Sequence, residues 1–528
     1  MLLVILAFVG ILYYFHFRRL ARSNLPPGPC PLPIVGNIRD LPPSGKPEYQ
    51  HWLKLKDTYG SISCITILGQ LIIVIHDRDA AHDLLNKSSM KTSGRPYMPF
   101  ADLCGFTSLL NLEQYDAGYR QDRKLVHQQF GTKAVAARFR DTIDAESHRF
   151  LVQILDDPAN LVQHIKTVTS GIILRITYGY SISPNAPDPL VGLIEHTMDI
   201  FALATVLMGW ATDIFPALQY LPASLPGTSF RKVAQEYGAQ LRTTMEVPYS
   251  FVRQQMAKGT NRLSYVSSLV EHHILNDEGV DKADKDMEEA IKKTAVVMYG
   301  GGADTSATSI HAFVLAMILF PEVQKKAQRE IDTVVGGDAL PQFADRDRLP
   351  YVSALVKETL RWFPVAPLGV AHRTDEAFDY RGFHIPKGAY LLPSIWWFLN
   401  DPQTYADPSC FDPDRFLPPR NEPDPEDQAF GYGRRICPGR YLADESIFIT
   451  VARLLATFDI KKAVDESGRE IDPEIHGTSG LIMRLQDFPY SMTPRSAKSV
   501  HLVKAAETEH THDDGDARLV RDTLSSLL

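Results

Sequence analysis

A single cysteine in a glycine-rich loop constrains this chain more than any other feature. Cys437 lies in the stretch FGYGRRICPG, and a long apolar helix is predicted directly after it, from about Arg440. A helix N-terminus offers a positive dipole and unpaired N–H groups, which favour a negatively charged sulfur. Arg435 lies two residues before the sulfur, and Gly433 and Gly439 allow the backbone to approach a bound group closely. The loop is therefore predicted to hold a metal-bound thiolate.

The other cysteines do not suggest a different use of this thiol. The chain has five cysteines, and the nearest two, Cys410 and Cys437, are 27 residues apart, so there is no C-x-x-C pair and no zinc-ribbon spacing. An odd and sparse set also argues against a disulfide framework and predicts a reducing compartment. A buried free cysteine at a helix start is the plain alternative for Cys437. The arginine and the glycines around Cys437 favour its interpretation as a metal ligand.

Composition and charge bound the kind of protein. The 528 residues include 44% hydrophobic and 22% charged residues, which is typical of a globular chain. A chain of this length can bury a core large enough to enclose a cofactor. The formal net charge of -8 argues against a nucleic-acid partner.

The N-terminus is predicted to be a membrane anchor. Residues 1–17 are apolar except His16, and Arg18, Arg19 and Arg22 follow. Seventeen helical residues span about 25 Å, near the lower limit for crossing a bilayer. Because the charge follows the apolar stretch and no small-residue cleavage site is evident, an uncleaved anchor is favoured over a signal peptide. The positive-inside rule then places the rest of the chain in the cytoplasm.

The rest of the chain is predicted to be mainly α with small β-sheets. Residues 18–37 form a basic and proline-rich linker, 38–496 a single large catalytic domain, and 497–528 a polar, disordered tail. Within the tail, a solvated HTHD stretch is favoured over a metal site. SISCITI and LIIVIHD flank a short turn and predict a hairpin. Helical periodicity dominates from about 116 to 340, and short extended pieces replace it after 364.

A glycine cluster inside a long apolar helix is the second unusual feature. The helix is predicted over Lys292–Phe320, and residues 300–302 are all glycine. Three helical glycines cost about 2–3 kcal/mol together, so close helix packing or a function must compensate. Thr305 can bond back to the carbonyl of Gly301 and loosen the helix. With Asp304 beside it, this would open a groove lined by an acid and an alcohol.

A third motif places a glutamate and an arginine one helical turn apart. Glu358 and Arg361 alone fit a surface pair worth a few tenths of a kcal/mol. Two other E-x-x-R matches begin at Glu146 and Glu466. Only Glu358 lies in an apolar helix, which favours a buried pair.

Together these motifs resemble those of cytochrome P450, the haem-thiolate monooxygenases. The signature F-x-x-G-x-R-x-C-x-G is matched by Phe430, Gly433, Arg435, Cys437 and Gly439. The pattern [A/G]-G-x-[D/E]-T is matched by residues 301–305, and E-x-x-R is followed by P-x-R-F at residues 413–416. The resemblance covers about residues 26–495. It is greatest to fungal members of the O-methylsterigmatocystin oxidoreductase type.

The resemblance implies a cytochrome P450 fold with haem b as cofactor. It implies that Cys437 is the axial iron ligand and that Arg435 pairs with a haem propionate. Arg123 and His372 match further propionate partners. Tyr119 occupies the position of a family tryptophan and can still donate a hydrogen bond.

The resemblance also assigns the other two motifs. It implies that Asp304 and Thr305 relay protons to iron-bound dioxygen. Glu358, Arg361 and Arg415 are then a buried structural triad behind the haem, not catalytic groups. Breaking one partner of such a buried network usually costs more than the network adds.

The implied activity is insertion of one oxygen atom from O2 into a lipophilic small molecule. Electrons would come from NADPH through the flavoprotein NADPH-cytochrome P450 reductase, with cytochrome b5 as a further donor, at the endoplasmic reticulum membrane. A basic docking face is predicted at Arg120, Lys124, Arg434 and Arg440. An ordinary solvated surface is the alternative for these residues.

The predicted substrate pocket is mostly apolar, as pockets usually are. Its residues are Phe100, Leu110, Val296, Ala303, Val365, Leu368, Val370, Leu481 and Ile482, with Thr305 at its edge. Two other functions stay open. One is a haem-thiolate isomerase or dehydratase that needs no electron partner, which the acid–alcohol pair argues against. The other is a non-catalytic haem or ligand binder.

Overall fold

The computed structural model describes residues 24–43, 45–183, 187–222, 224–275, 284–509 and 515–527. The predicted anchor at 1–17, the first six residues of the linker and the HTHD stretch of the tail lie outside the described residues. The chain divides into two compact units.

The smaller unit is built on a four-stranded sheet. It comprises the chain up to Pro96 together with Leu368–Phe398 and Tyr432–Arg435. The strand order is β1-β2-β6-β3, where β2 and β6 run parallel and the other neighbours run antiparallel. Leu68 and Gly69 join β1 to β2 with positive φ angles, which suits a tight hairpin turn. The predicted hairpin is confirmed.

The strands of both units are short. Those of the smaller unit are β1 (Ile62–Ile67), β2 (Gln70–Ile75), β3 (His372–Arg373), β4 (Phe378–Tyr380), β5 (Phe383–Ile385) and β6 (Tyr390–Pro393). The larger unit contributes β7 (Phe458–Lys461) and β8 (Ser491–Pro494), which pair antiparallel.

Helices make up most of the structure. The longer helices are α1 (Glu48–Tyr59), α2 (Ala117–Phe130), α3 (Arg140–Asp156), α4 (Leu161–Tyr178), α5 (Pro189–Ala204), α6 (Ser229–Ala257), α7 (Lys285–Leu319), α8 (Pro321–Val334), α9 (Pro350–Trp362), α10 (Arg440–Thr457), α11 (Ala497–Glu509) and α12 (Ala517–Leu527). Short helical turns include Pro99–Leu103, Ala211–Ile214, Pro413–Phe416 and Gly433–Arg435. The fold is mainly α with small sheets, as predicted.

The core helix of the larger unit is α7. It begins seven residues before the predicted start because the Asp284 carboxylate accepts the Met287 N–H at 3.0 Å and caps it. It packs against α4, α6, α9 and α10, and Phe313 and Val314 are fully buried. Each such side chain contributes about 1.5–3 kcal/mol. Of the described residues, only α7 is long and apolar enough to cross a membrane, and 72% of its apolar window is buried inside the protein.

The C-terminal tail is not disordered where the structure describes it. It forms α11 and α12, which pack on α3 and on α5 and α6 respectively. The prediction overlooked that a mostly polar helix can still bury an apolar face. Here the buried residues are Val503 of α11 and Val520 of α12. The Asp516 carboxylate also accepts hydrogen bonds from the Ser181 N–H at 2.8 Å and the Arg262 guanidinium at 2.6 Å. The prediction of disorder is therefore wrong for these two helices.

Truncation of the buried Val520 side chain is expected to destabilise the protein. Val520→Ala should lower the free energy of unfolding by about 2 kcal/mol, because Val520 has no exposed surface and its removal leaves a cavity. Thermal unfolding of the purified protein measures the change. Arg518→Ala, at an exposed position of the same helix, is the control and should behave like the wild type. Equal melting temperatures for the two variants would show that α12 does not support the fold.

Candidate functional site

Cys437 is held at the N-terminal end of α10 by backbone hydrogen bonds. Its own N–H donates to the carbonyl of Phe430 at 2.8 Å, which closes the loop. Its sulfur accepts hydrogen bonds from the backbone N–H groups of Gly439 and Arg440. A Cβ added at Gly439 would have the Cys437 sulfur as its neighbour, at 4.0 Å. The glycine thus keeps space open beside the sulfur, as the approach of a flat cofactor would require.

The protonation of Cys437 differs from the simple expectation. Burial raises the pKa of the Cys437 thiol, and the Gly439 N–H, Arg123 and Arg440 oppose that rise. The helix N-terminus and the arginines therefore do not activate the thiol by themselves. A metal cation bound directly to a thiol deprotonates it. The donor set suits a metal-bound thiolate better than a free nucleophile.

Arg123 reaches the cysteine loop from α2. One guanidinium N–H donates to the carbonyl of Ile436, the residue next to Cys437. Tyr119 lies one turn earlier on α2 and is buried, and its N–H caps the helix through Asp116 at 3.0 Å. The predicted Tyr-x-x-x-Arg pair thus lies on one helix, with its arginine against the cysteine loop.

A group of basic side chains lies within the smaller unit. The Arg435 Nε donates to the Ser93 carbonyl at 2.9 Å, and the His372 Nδ1 lies 2.8 Å from the Thr92 carbonyl. Arg95, which the sequence analysis missed, donates to the carbonyls of residues 370 and 371 at 2.9 Å. The His372 and Arg95 bonds link residues 92–95 to the start of β3, and the Arg435 bond links Ser93 to residue 435.

His372 is neutral in this structure. Burial lowers the pKa of His372 to about 3, and the nearby charges of Arg95 and Arg435 lower it further. Because a carbonyl can only accept, Nδ1 carries the proton and Nε2 is left as an acceptor. Arg95 and Arg435 are therefore the permanent cations of this group.

Gly433 has a structural reason of its own. Its φ is +53°, and a side chain there would lie 2.3 Å from the Leu85 carbonyl oxygen. The Gly433 N–H also bonds to the side-chain oxygen of Asn86. This glycine is required by contact with the protein's own backbone.

The three glycines of α7 serve two purposes. A side chain at Gly300 would meet Met198 Sδ at 2.8 Å, and one at Gly302 would meet Ile173 at 2.9 Å. Gly301 has nothing within 4 Å and is exposed in an otherwise buried stretch. Close helix packing therefore explains the outer two glycines, while Gly301 borders open space.

Thr305 bonds back to the helix as predicted. Its hydroxyl donates to the Gly301 carbonyl at 2.6 Å. The predicted loosening of the helix is wrong, because α7 is α-helical without interruption across these residues. The hydroxyl adds a second donor to a carbonyl whose helical bond stays intact.

Asp304 has a partner that the sequence did not reveal. Both of its carboxylate oxygens accept hydrogen bonds from Arg484, at 2.9–3.1 Å. The same guanidinium donates to Asp199 of α5 at 3.1 Å. A single arginine in the apolar segment SGLIMRLQ was the available signal, since a charged residue there needs a partner.

The structure brings Glu358, Arg361 and Arg415 together in the larger unit. The Glu358 carboxylate accepts from Arg361 at 2.7 and 2.8 Å, from Arg415 at 3.0 Å and from the Asp412 N–H at 2.8 Å. The three side chains have no exposed surface. Burial raises the pKa of Glu358, and the two guanidiniums oppose that rise. The arrangement is a buried ion network.

The predicted pocket residues differ in accessibility. Leu110, Val296 and Ala303 are nearly buried, and Val365, Leu368, Val370, Leu481 and Ile482 are partly exposed. The Met483 N–H donates to the Val365 carbonyl at 2.8 Å, which holds the loop of Leu481 and Ile482 against residue 365.

Phe100 is a special case among these residues. Its ring stacks on Trp210 with centroids 3.5 Å apart, and it has no exposed surface. A pocket role for Phe100 stays a prediction, because the ring is covered by protein in this structure.

Two of the four predicted docking residues share a helix. Arg120 and Lys124 lie one turn apart on α2 and are exposed. Arg440 is partly exposed and bonds to the Tyr441 hydroxyl at 2.7 Å. Arg434 is exposed within the smaller unit.

The F-x-x-G-x-R-x-C-x-G loop at the start of α10 and the mainly helical fold are those of the haem-thiolate class. The chain belongs to the cytochrome P450 family, whose model matches residues 26–484. It is 53% identical over 530 residues to cytochrome P450 monooxygenase CLM2 of Gibberella zeae, with all of both chains covered. It is 46% identical to the multifunctional cytochrome P450 monooxygenase af510 of Aspergillus fumigatus, covering 98% of this chain and 96% of that one.

The resemblance to O-methylsterigmatocystin oxidoreductase is also confirmed. The Aspergillus flavus protein is 35% identical, over 94% of this chain and 92% of its own length. Family membership means that the protein carries a haem ligated by a cysteine thiolate. It is a monooxygenase that incorporates oxygen from O2 with electrons derived from NADPH.

Proposed function

We propose that Cys437 is the axial thiolate of the haem and that the protein oxidises a lipophilic small molecule at that site. The observation that carries this proposal is the position of the Cys437 sulfur, bonded to the Gly439 and Arg440 N–H groups beside the open space at Gly439. Haem, when bound there, supplies the iron at which O2 is activated, and a thiolate ligand favours O–O cleavage. The two N–H groups would moderate the charge on the sulfur.

Haem binding would also use cations for the propionates. Arg123, which bonds to the carbonyl next to Cys437, would be one of these cations, and the family motif adds Arg435. Tyr119 would add a hydroxyl donor, whereas Nε2 of the neutral His372 is an acceptor and would bond only to a protonated propionate. Phe430, at the start of the cysteine loop, would pack beside the haem. Guanidiniums suit propionates because Arg matches carboxylates with paired N–H donors.

Proton delivery is the proposed role of Asp304 and Thr305. Thr305 lies next to the open space at Gly301 and carries a hydroxyl that can pass a proton on. Asp304 is the neighbouring group that can exchange protons with water, since 19% of its side chain is exposed. The pocket residues around α7 would bind the substrate through apolar contact.

Removal of the Thr305 hydroxyl is expected to uncouple the reaction. Thr305→Ala should lower product formed per NADPH by about 10-fold or more, the scale of general acid–base catalysis, with a matching rise in hydrogen peroxide. Peroxide and NADPH are measured in the same reconstituted reaction. Thr308→Ala is the matched control, because Thr308 makes the same kind of bond, to the Asp304 carbonyl at 3.0 Å. Unchanged coupling in Thr305→Ala would contradict the relay.

The proposed electron donor is NADPH-cytochrome P450 reductase, with cytochrome b5 as a further partner. Arg120 and Lys124 are the exposed cations of α2 that support docking, with Arg434 and Arg440 as further candidates. Residues 1–17 would anchor the protein in the endoplasmic reticulum membrane, with the catalytic part in the cytoplasm.

Two measurements test this function. The carbon monoxide difference spectrum of the reduced protein should show the strongly red-shifted band of thiolate-ligated haem. Turnover of lipophiles that shift the haem spin state should require NADPH and reductase. Turnover of a hydroperoxide without any electron donor would favour the isomerase or dehydratase instead. A thiolate-type spectrum without turnover in either assay would favour a non-catalytic haem or ligand binder.

A further inference from the structure

The residue before α12 bonds to the chain beside two other helices. Residues 205–228 lead from the end of α5 to the start of α6, so the start of α5 and the end of α6 are the unjoined ends of this pair. The Asp516 carboxylate accepts a hydrogen bond from the Ser181 N–H, shortly before α5, at 2.8 Å. It also accepts one from the Arg262 guanidinium, shortly after α6, at 2.6 Å. A single carboxylate therefore joins both unjoined ends.

The chain is closely packed where it enters α12. The Asp516 N–H donates to the Ser181 carbonyl at 2.9 Å, so these two residues exchange a pair of hydrogen bonds. Gly515 has a φ of +81°, and a side chain there would lie 2.6 Å from the Ser183 Cα. Only glycine allows this approach and this backbone conformation. The start of α12 is thus held by backbone contacts as well as by charge.

One face of α12 lies against the helix pair. Ala517, Val520 and Thr523 are buried and three residues apart, so they share a face, while Arg518 is exposed. The Thr523 hydroxyl donates to the Gln254 side chain of α6 at 3.3 Å, and α12 packs on α5 as well as on α6. Asp516 and α12 together are termed the C-terminal clamp.

The helix α5 lies on the face of α7 that carries predicted pocket residues. Val296, Gly300 and Ala303 share that face because they are separated by four and three residues. A side chain at Gly300 would meet Met198 of α5 at 2.8 Å, and Val296 and Ala303 are nearly buried. A ligand that occupies this face therefore requires α5 to move away from α7.

The clamp restricts such a movement at the unjoined ends of the pair. Two helices that are joined at one end and fastened at the other move together about the fastened end. When the fastening is lost, the unjoined ends can separate, and opening of the pair becomes more frequent. The effect reaches the pocket although the described residues of the clamp do not line it.

We propose that the C-terminal clamp holds α5 and α6 over α7 and so limits how fast bulky ligands enter and leave the pocket. The inference rests on the proposed pocket face of α7. Asp516 and Arg262 are positioning residues in this scheme, because they act through α5 and α6 and not on the ligand.

The test compares two azoles that differ in size on the full-length holoenzyme. Imidazole is small, whereas clotrimazole is an imidazole with a bulky triphenylmethyl-type group, and either nitrogen ligand shifts the haem absorption band in stopped flow. Asp516→Asn keeps the shape of the side chain and removes its charge. It should raise the association and dissociation rates of clotrimazole about five- to tenfold, the scale of a hydrogen bond to a charged group. The rates of imidazole should not change.

A second measurement needs neither ligand nor turnover. Amide hydrogen exchange of α5 and α6 should be faster in Asp516→Asn than in the wild type, because the pair opens more often. Arg262→Gln breaks the same ion pair and should have the same effect. The double variant should show little further change, since its two substitutions remove one shared contact.

The other C-terminal helix provides the control. Lys498 of α11 pairs with Asp338 at 2.6 Å, and their side chains are 52% and 91% exposed. Lys498→Gln removes an ion pair of the C-terminal segment without touching α5 or α6. Its azole rates and its amide exchange in α5 and α6 should equal those of the wild type.

Three outcomes would overturn the proposal. Clotrimazole rates of Asp516→Asn equal to those of Lys498→Gln would show that the clamp does not limit entry. Equal changes for imidazole and clotrimazole would show an altered haem environment instead of easier access. Faster exchange in α5 with unchanged clotrimazole rates would show that the pocket does not lie under α5, and it would leave the haem-thiolate assignment intact. A wild-type protein that binds neither azole would contradict the proposed haem site itself, and the control of entry with it.

Discussion

Replacement of Cys437 by serine is expected to abolish the thiolate-type haem spectrum and to reduce turnover by at least about 10⁴-fold, the loss seen when one member of a catalytic unit is removed. Serine preserves the size of the side chain and the backbone bonds of the loop. It removes the soft sulfur ligand that suits this iron site and that favours O–O cleavage. The measurement is the carbon monoxide difference spectrum of the reduced protein, with haem content determined in parallel.

Cys410 provides the matched control for this experiment. It is also a partly exposed free cysteine of the larger unit, and its thiol is assigned no ligand role. Cys410→Ser should keep the red-shifted band and the activity. A Cys437→Ser protein that retains the band would falsify the assignment of the ligand, whatever its activity.

Replacement of Glu358 by glutamine is expected to destabilise the protein by about 3–5 kcal/mol. Glu358 is the shared partner of Arg361 and Arg415, and none of the three side chains is exposed. The variant therefore leaves two guanidiniums buried with only carbonyls and Glu422 to compensate them. The melting temperature of the holoenzyme should fall by roughly 3–5 °C, since a chain of 528 residues has a large unfolding entropy.

The ion pair between Lys357 of α9 and Asp424 provides a control. Its side chains are 35% and 38% exposed. Asp424→Asn should therefore change the free energy of unfolding by no more than about 1 kcal/mol. Equal melting temperatures for Glu358→Gln and Asp424→Asn would mean that the buried network does not support the fold.

The local geometry of the site could be predicted because helical spacing dictates it. Thr305 lies four residues after Gly301, and Arg361 lies three after Glu358, so each pair must share one helix face. Both contacts are present, at 2.6 Å and 2.7–2.8 Å. The position of Cys437 at the start of α10 followed equally from the glycine and proline before the helix.

Contacts between segments that are distant in sequence could not be predicted from helical spacing. Arg484 lies 180 residues from Asp304, and Arg453 lies 306 residues from Ser147, yet each pair forms hydrogen bonds. The sequence shows that an arginine in an apolar segment needs a partner, but it does not show which one. The same limit explains the prediction of a disordered tail, since Val520 is buried only because α12 packs against α6.

The sequence by itself determined the family motifs, the cysteine loop, the acid–alcohol pair and the helical fold class, because each depends on residues a few positions apart. Only the tertiary structure decided that Asp304 is held by Arg484, that Gly300 and Gly302 pack while Gly301 borders open space, and that the C-terminal helices pack on the larger unit. These features depend on which surfaces meet after the chain has collapsed. That is a property of the packed core as a whole and not of any short segment.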